Sequence, residues 1–129
     1  MPTFKSFEEI VAWKKAHALA VDFYRITNTS ALNHDFELRG QMRKSAISIP
    51  SNIAEGHERN SNRQFIYFLN VAKASAAELR AQTLLAFDLG YIALNQYDQL
   101  KNQLIEVSKL IASLMNYLHN YQPKPIKQE

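Results

Sequence analysis

The sequence predicts an all-α protein, an up-down-up-down four-helix bundle whose second helix is kinked at a proline. Three observations lead there. Glycine and proline are sparse, three and four in 129 residues, so long elements run uninterrupted. Apolar residues recur at three- and four-residue steps through four stretches, the period of a helix with one buried face. No stretch holds the alternation of a half-buried strand. Helices joined by short connections pack antiparallel to their chain neighbours.

The first helix is expected from about Phe7 to Thr29. Ser6 suits its N-cap, and Glu8 and Glu9 fall in the first turn, where the helix dipole favours negative charge. Ile10, Trp13, Ala16, Ala20, Phe23 and Thr27 form its stripe, and Val11, Leu19, Val21, Tyr24 and Ile26 make it wider than one bundle seam requires. A turn is expected over Asn28 to His34, where Asn, Ser and Thr side chains compete for backbone hydrogen bonds.

The second helix starts near Asp35 or Phe36, with Leu38, Met42, Ala46, Ile49 and Ile53 as its stripe. Gly40 costs about 1 kcal/mol against alanine in a helix, so close packing is expected there. Pro50 should kink this helix or begin a new one, because its ring clashes with the preceding turn and it donates no N–H. Gly56 reads as the residue that ends it, ahead of a polar linker through Asn60.

Ser61 caps the third helix, with Gln64 completing a capping box. Phe65, Phe68, Leu69, Ala72, Ala76, Leu79, Thr83 and Ala86 share its buried face, and Gly90 stops it. Alanines at 72, 74, 76, 77 and 81 keep it slim for a close neighbour. The fourth helix opens at Asn95 or Gln96 and carries the stripe Leu100, Leu104, Val107, Leu110, Ile111, Leu114, Met115 and Leu118. One domain, residues 1–121, is expected, and 122–129 reads as a disordered tail.

Composition bounds the function. Apolar residues are 47% and charged residues 21%, an ordinary globular balance. With no cysteine there is neither a disulfide nor a thiolate metal site, and the cytoplasm is the default compartment. No apolar signal region opens the chain, and no apolar run approaches the roughly 20 residues that span a bilayer. His17, His34, His57 and His119 lack metal-ligand spacing. His57 and Glu58 are loop neighbours that would not converge on one substrate. No phosphate-binding glycine loop or nucleophile elbow occurs, so neither an enzyme nor a cofactor is expected.

Several strings carry a resemblance. The opening Phe7-Glu8-Glu9-Ile10-Val11-Ala12-Trp13-Lys14-Lys15-Ala16, the run Gln41 to Gly56 with its core Ser48-Ile49-Pro50-Ser51-Asn52-Ile53-Ala54-Glu55-Gly56, the segments Phe65 to Leu69 and Ala76-Ala77-Glu78-Leu79, and Leu89-Gly90-Tyr91-Ile92 resemble the four helix bundle proteins encoded in 23S rRNA intervening sequences. The likeness covers roughly Phe7 to Leu118. It implies a small bundle that assembles into a homo-oligomeric ring, a pentamer. A related bundle, the accessory variability protein of diversity-generating retroelements, is a basic pentameric barrel that binds nucleic acid and a reverse transcriptase. The resemblance therefore suggests RNA or DNA handling. His57-Glu58 departs from the family, in which an aromatic or small residue is common after the glycine.

Two groups of residues are candidates for function. Pro50, Asn52, Glu55 and Gly56 form a structural signature. Asn52 and Glu55 share a helix face and, if buried, need partners, which Arg43, Arg80 or the groups around Pro50 would supply. They either tie the kinked helix to the third or make a functional polar site. Arg39, Arg43, Lys44, Arg59, Arg63, Lys73 and Arg80 face only Glu55, Glu58 and Glu78 over the same span, a local balance of +4 within a chain of net charge +3. Repeated around a ring, such a patch would bind phosphate backbones; alone, it is also what a solvated helix face looks like. The aromatic residues read as core and interface rather than as base-stacking platforms. The leading reading is a non-enzymatic ring that binds nucleic acid through clustered Arg and Lys. Its rival is an oligomeric scaffold that binds another protein.

Overall fold

The computed structural model describes residues 4–121. The tail expected over 122–129 lies outside the described residues. Four helices account for most of the chain: α1 (Val11–Thr27), α2 (Phe36–Glu58), α3 (Asn62–Asp88) and α4 (Leu94–Asn120). Each packs on its chain neighbour, and a thinner α1–α4 seam closes the bundle. Among the described residues there is no strand.

The first helix is shorter than its periodicity suggests. Phe7–Glu9 forms a separate 3₁₀ turn, and Ile10 is extended (φ −77°, ψ 120°) before α1 begins. The Glu9 carboxylate accepts from the backbone N–H of Ser6 at 3.2 Å and also from that of Lys5. This closes the turn and sends Ile10 into the core. Phe7 packs edge-on against Trp13, with centroids 5.0 Å apart. The wide apolar face of α1 is real: Leu19 is buried with the main stripe, while Val11, Val21 and Tyr24 remain exposed.

The expected turn after α1 contains a 3₁₀ helix, Ser30–His34, and it drops Leu32 into the core with 0% exposure. Asp35 then caps α2, its Oδ1 accepting from the Leu38 N–H at 3.0 Å. All five predicted stripe residues of α2, Leu38, Met42, Ala46, Ile49 and Ile53, are buried. Pro50 lies buried inside α2, which continues unbroken to Glu58, so no new helix begins there. Lacking an N–H, it leaves the Ala46 carbonyl without its usual intrahelical donor.

Two glycines act otherwise than expected. Gly40 is exposed, and a Cβ there would meet nothing within 4 Å, so no close packing explains it. Gly56 does not end α2. It is buried within the last turns, and a Cβ on it would lie 2.8 Å from Phe65 Cδ1 and 2.9 Å from Phe68 Cβ. Its role is to let α2 and α3 converge at the start of α3.

Ser61 caps α3, its Oγ accepting from the Gln64 N–H at 3.1 Å. The predicted α3 face is buried except Phe68, which is half-buried. Of the alanines, 72 and 76 are buried, whereas 74, 77 and 81 are exposed and cannot all serve one seam. Gly90 ends the element in a left-handed conformation (φ 79°), its N–H bonded to Phe87 O and that of Tyr91 to Ala86 O, both at 2.9 Å. Helix α4 opens at Leu94, one residue before expected. Gln96 reaches back to the Ala93 N–H at 3.1 Å.

Candidate functional site

The structural signature lies on two surfaces of α2. Pro50, Ser51 and Ala54 line a largely apolar groove against α1, together with Trp13, Val21, Tyr24 and Ile47. On the α3 side, Asn52 Nδ2 donates to Ser48 O at 2.8 Å and to Ser48 Oγ at 3.0 Å, and Ser48 Oγ meets Ser75 Oγ at 2.7 Å. Asn52 therefore reaches α3 through a serine relay, not through Arg43 or Arg80. Glu55 makes no tie to α3 at all: it is exposed and pairs with Arg59 at 2.7 Å, one turn on. Four residues separate them, which is the ordinary reach of a surface helix pair.

The seven basic residues do not form one patch. Arg39 and Arg43, one turn apart, both bind back onto the fold. Arg39 donates through Nη1 to Asn33 O (3.0 Å) and Asn33 Oδ1 (2.8 Å), and lies over the Phe36 ring at 4.8 Å. Arg43 donates through Nε to the hydroxyl of Thr27 (2.9 Å), itself 0% exposed, and covers the Tyr24 ring at 4.7 Å. Lys44 is exposed beside them. Arg59 and Arg63 stand at the other end of α2, about 30 Å from Arg39 at 1.5 Å per residue. They share a shallow depression with Tyr67 and Phe68, and Arg59 lies over Phe68 at 4.9 Å.

Lys73 and Arg80 are exposed on α3. Seven residues apart, they fall on the same helix face. Arg80 lines a groove between α3 and α4 whose other wall carries Lys101 and Lys109. Both lysines lie beyond the basic stretch that charge density marks in the sequence, which ends at Arg80. The available signal was their spacing: Lys101, Ile105 and Lys109 step by four along one flank of α4.

At the end of the bundle where α2 begins, Tyr91 donates its hydroxyl to Asp35 Oδ2 at 2.9 Å. The hydrogen bond to the carboxylate raises the phenol pKa above its ordinary value, with burial and the Asp35 charge adding to it. His57 is half-buried, its Nε2 3.1 Å from Phe4 O and its Nδ1 3.6 Å from Glu58 Oε1. Among the described residues no cluster of His, Cys, Asp or Glu is placed to hold a metal, and no helix is long and apolar enough to cross a membrane.

Comparisons with known proteins agree with this architecture. The sequence model of a family described as 23S rRNA-intervening sequence protein matches residues 8–113. A crystal structure of a protein of unknown function from the S23 ribosomal protein family of Bacteroides thetaiotaomicron superposes with a TM-score of 0.77 at 28% identity. The match covers 82% of this chain and 96% of that one. No curated protein matches the chain significantly.

Proposed function

Because the chain belongs to the 23S rRNA-intervening sequence protein family, we propose that it is a non-catalytic helical bundle that assembles with copies of itself into a ring and binds RNA or DNA through exposed basic side chains. The observation that carries the binding is the state of those side chains. Lys73, Arg80, Lys101 and Lys109 have no carboxylate within ion-pair distance among the described residues. A cation without a carboxylate partner is free to neutralise phosphate, the main source of affinity for nucleic acid. Three of the seven candidates carry less weight in this proposal. Arg39 and Arg43 are held by Asn33 and Thr27, and Arg59 by Glu55.

Assembly is supported by the groove between α1 and α2. Trp13, Val21, Tyr24 and Ile47 line it, and Ile47 keeps 44% of its surface exposed. Exposed apolar surface of this kind marks an interaction face. The same groove favours the competing reading, a scaffold that docks another protein and has no nucleic-acid role.

Fluorescence anisotropy with labelled RNA and DNA separates the two. Binding at low salt that weakens steeply as salt rises supports the proposal. No binding at low salt leaves the scaffold. Light scattering tests the ring independently: a mass near 14.8 kDa, that of one chain, overturns it.

A further inference from the structure

Resting on the nucleic-acid reading above, we infer that the groove between α3 and α4 is a cradle for the phosphate backbone of a double helix, read without contact to its bases. Three cations line it, and a fourth extends one wall. Arg80 lines the α3 wall and Lys73 continues that face, while Lys101 and Lys109 line the α4 wall. Along the helix axes Lys73 and Arg80 are about 10 Å apart and Lys101 and Lys109 about 12 Å, at 1.5 Å per residue. Charge is thus spread in two rows along a groove rather than gathered at one point, as a run of phosphates requires.

Two neighbouring carboxylates have partners outside the groove, and Asp98, one turn before Lys101, makes no ion pair with it. Glu78 accepts from Ser45 on α2 and from Gln82, and Glu106 pairs with Lys15 on α1 at 3.5 Å. No Asp or Glu lines the groove. Its α3 wall is low: Ala77 and Ala81 are exposed there, so a backbone can approach closely. Ser108 adds a hydroxyl donor on the opposite wall.

Base contact is what the groove lacks. Tyr97 is the aromatic residue in it, and its ring is already engaged within the fold. Phe87 stacks on it at 5.1 Å with an interplanar angle of 22°, and Lys101 Nζ sits 6.0 Å from its centroid. Single-strand binders join a basic groove to free aromatic platforms for unstacked bases. Here the cations are present and the platforms are absent, which selects a ligand whose bases are already stacked inside and whose phosphates face out. An acidic polypeptide offers negative charge too, but a protein partner draws most of its affinity from desolvated aromatic and apolar anchors at the centre of the contact. Alanine supplies most of its α3 wall, and of the larger aliphatic residues that line it, Leu84, Leu104 and Ile105, only Leu84 is exposed.

The test uses the full chain and three probes of matched length: an RNA duplex, a DNA duplex and oligouridine, with polyglutamate as competitor. Both duplexes should bind more tightly than oligouridine. The log–log salt slope should be about −3 to −4 for each engaged groove, from four phosphate contacts at roughly −0.9 each. Arg80→Gln, Lys101→Gln and Lys109→Gln should each reduce the slope by about 1, uniformly across sequences. The Arg59→Gln/Arg63→Gln double variant should leave it unchanged. All five are exposed or half-buried side chains, and circular dichroism checks that each variant folds. Oligouridine binding as tightly as duplex overturns this inference and leaves the nucleic-acid reading standing. Failure of every probe to bind at low salt overturns both. A slope that follows Arg59 and Arg63 instead moves the site to the α2–α3 turn and overturns the groove. Displacement by polyglutamate at lower concentration than by unlabelled duplex overturns the choice of ligand.

Discussion

Gly56 and Phe65 meet so closely that a single added methyl on the glycine would stand 2.8 Å from the Phe65 ring. The nearest alternative space is closed by Phe68 Cβ at 2.9 Å, an atom that cannot swing away without moving the α3 backbone. Gly56→Ala should therefore destabilise the fold. The methyl gains about 1 kcal/mol of helix propensity, while overpacking a close contact costs about 1–3 kcal/mol. Urea unfolding should show a lower midpoint.

Gly40 supplies the opposite case on the same helix. It is exposed, and a Cβ there meets nothing within 4 Å. Gly40→Ala should stabilise by about 0.5–1 kcal/mol, since only the propensity gain remains. The two substitutions, identical in chemistry, should shift the urea midpoint in opposite directions.

Leu32 tests whether the α1–α2 connection is part of the core. It is 0% exposed although it belongs to a 3₁₀ turn. Leu32→Ala should cost about 2–5 kcal/mol, the range for a large buried aliphatic residue cut to alanine. A cost below about 0.5 kcal/mol, the level of an ordinary surface substitution, would show that this connection is not docked in solution.

The Tyr91–Asp35 bond predicts an alkaline weakness. The folded phenol has a pKa above its unfolded value of about 10. The native state therefore holds its proton more tightly than the unfolded chain does. The stability this contributes is fully present below about pH 10 and is lost as pH rises through the folded value. Stability measured from neutral pH upward should fall more steeply for the wild type than for Tyr91→Phe, which has no phenolic proton to lose.

Arg43 should matter for stability more than for binding. Arg43→Ala removes the bond to the buried Thr27 hydroxyl and should cost about 1 kcal/mol. Its effect on the salt slope for duplex should be smaller than that of Arg80→Gln. An equal or larger effect would mean that the α1–α2 face also takes phosphate.

Much of this architecture was legible because helical period alone selects a buried face. The α2 stripe of Leu38, Met42, Ala46, Ile49 and Ile53 is buried throughout, and Ser61, Gly90 and the α4 stripe fall where their chemistry places them. Leu32 was hidden because a turn has no period to mark which residue points inward. Gly56 was misread because a glycine after an apolar run looks like a cap; only Phe65, across the turn, shows that it is a contact. The basic residues were legible as types and not as partners. Arg43 meets Thr27 from 16 positions away, and Arg80 shares its groove with lysines more than 20 positions on. Charge density along a chain cannot tell a cation that braces the fold from one that is free.

The order in which the helices touch also bears on how the chain finds this fold. The main seams, α1–α2, α2–α3 and α3–α4, each join consecutive helices across a short connection, and the seam between the first and last helix is the thinnest. Each hairpin can form before distant parts of the chain meet, so little loop entropy opposes the early steps. Such topologies fold within microseconds to milliseconds. The α1–α4 seam is then the last to close and the first to open, and amides along it should exchange with solvent sooner than those of α2 and α3.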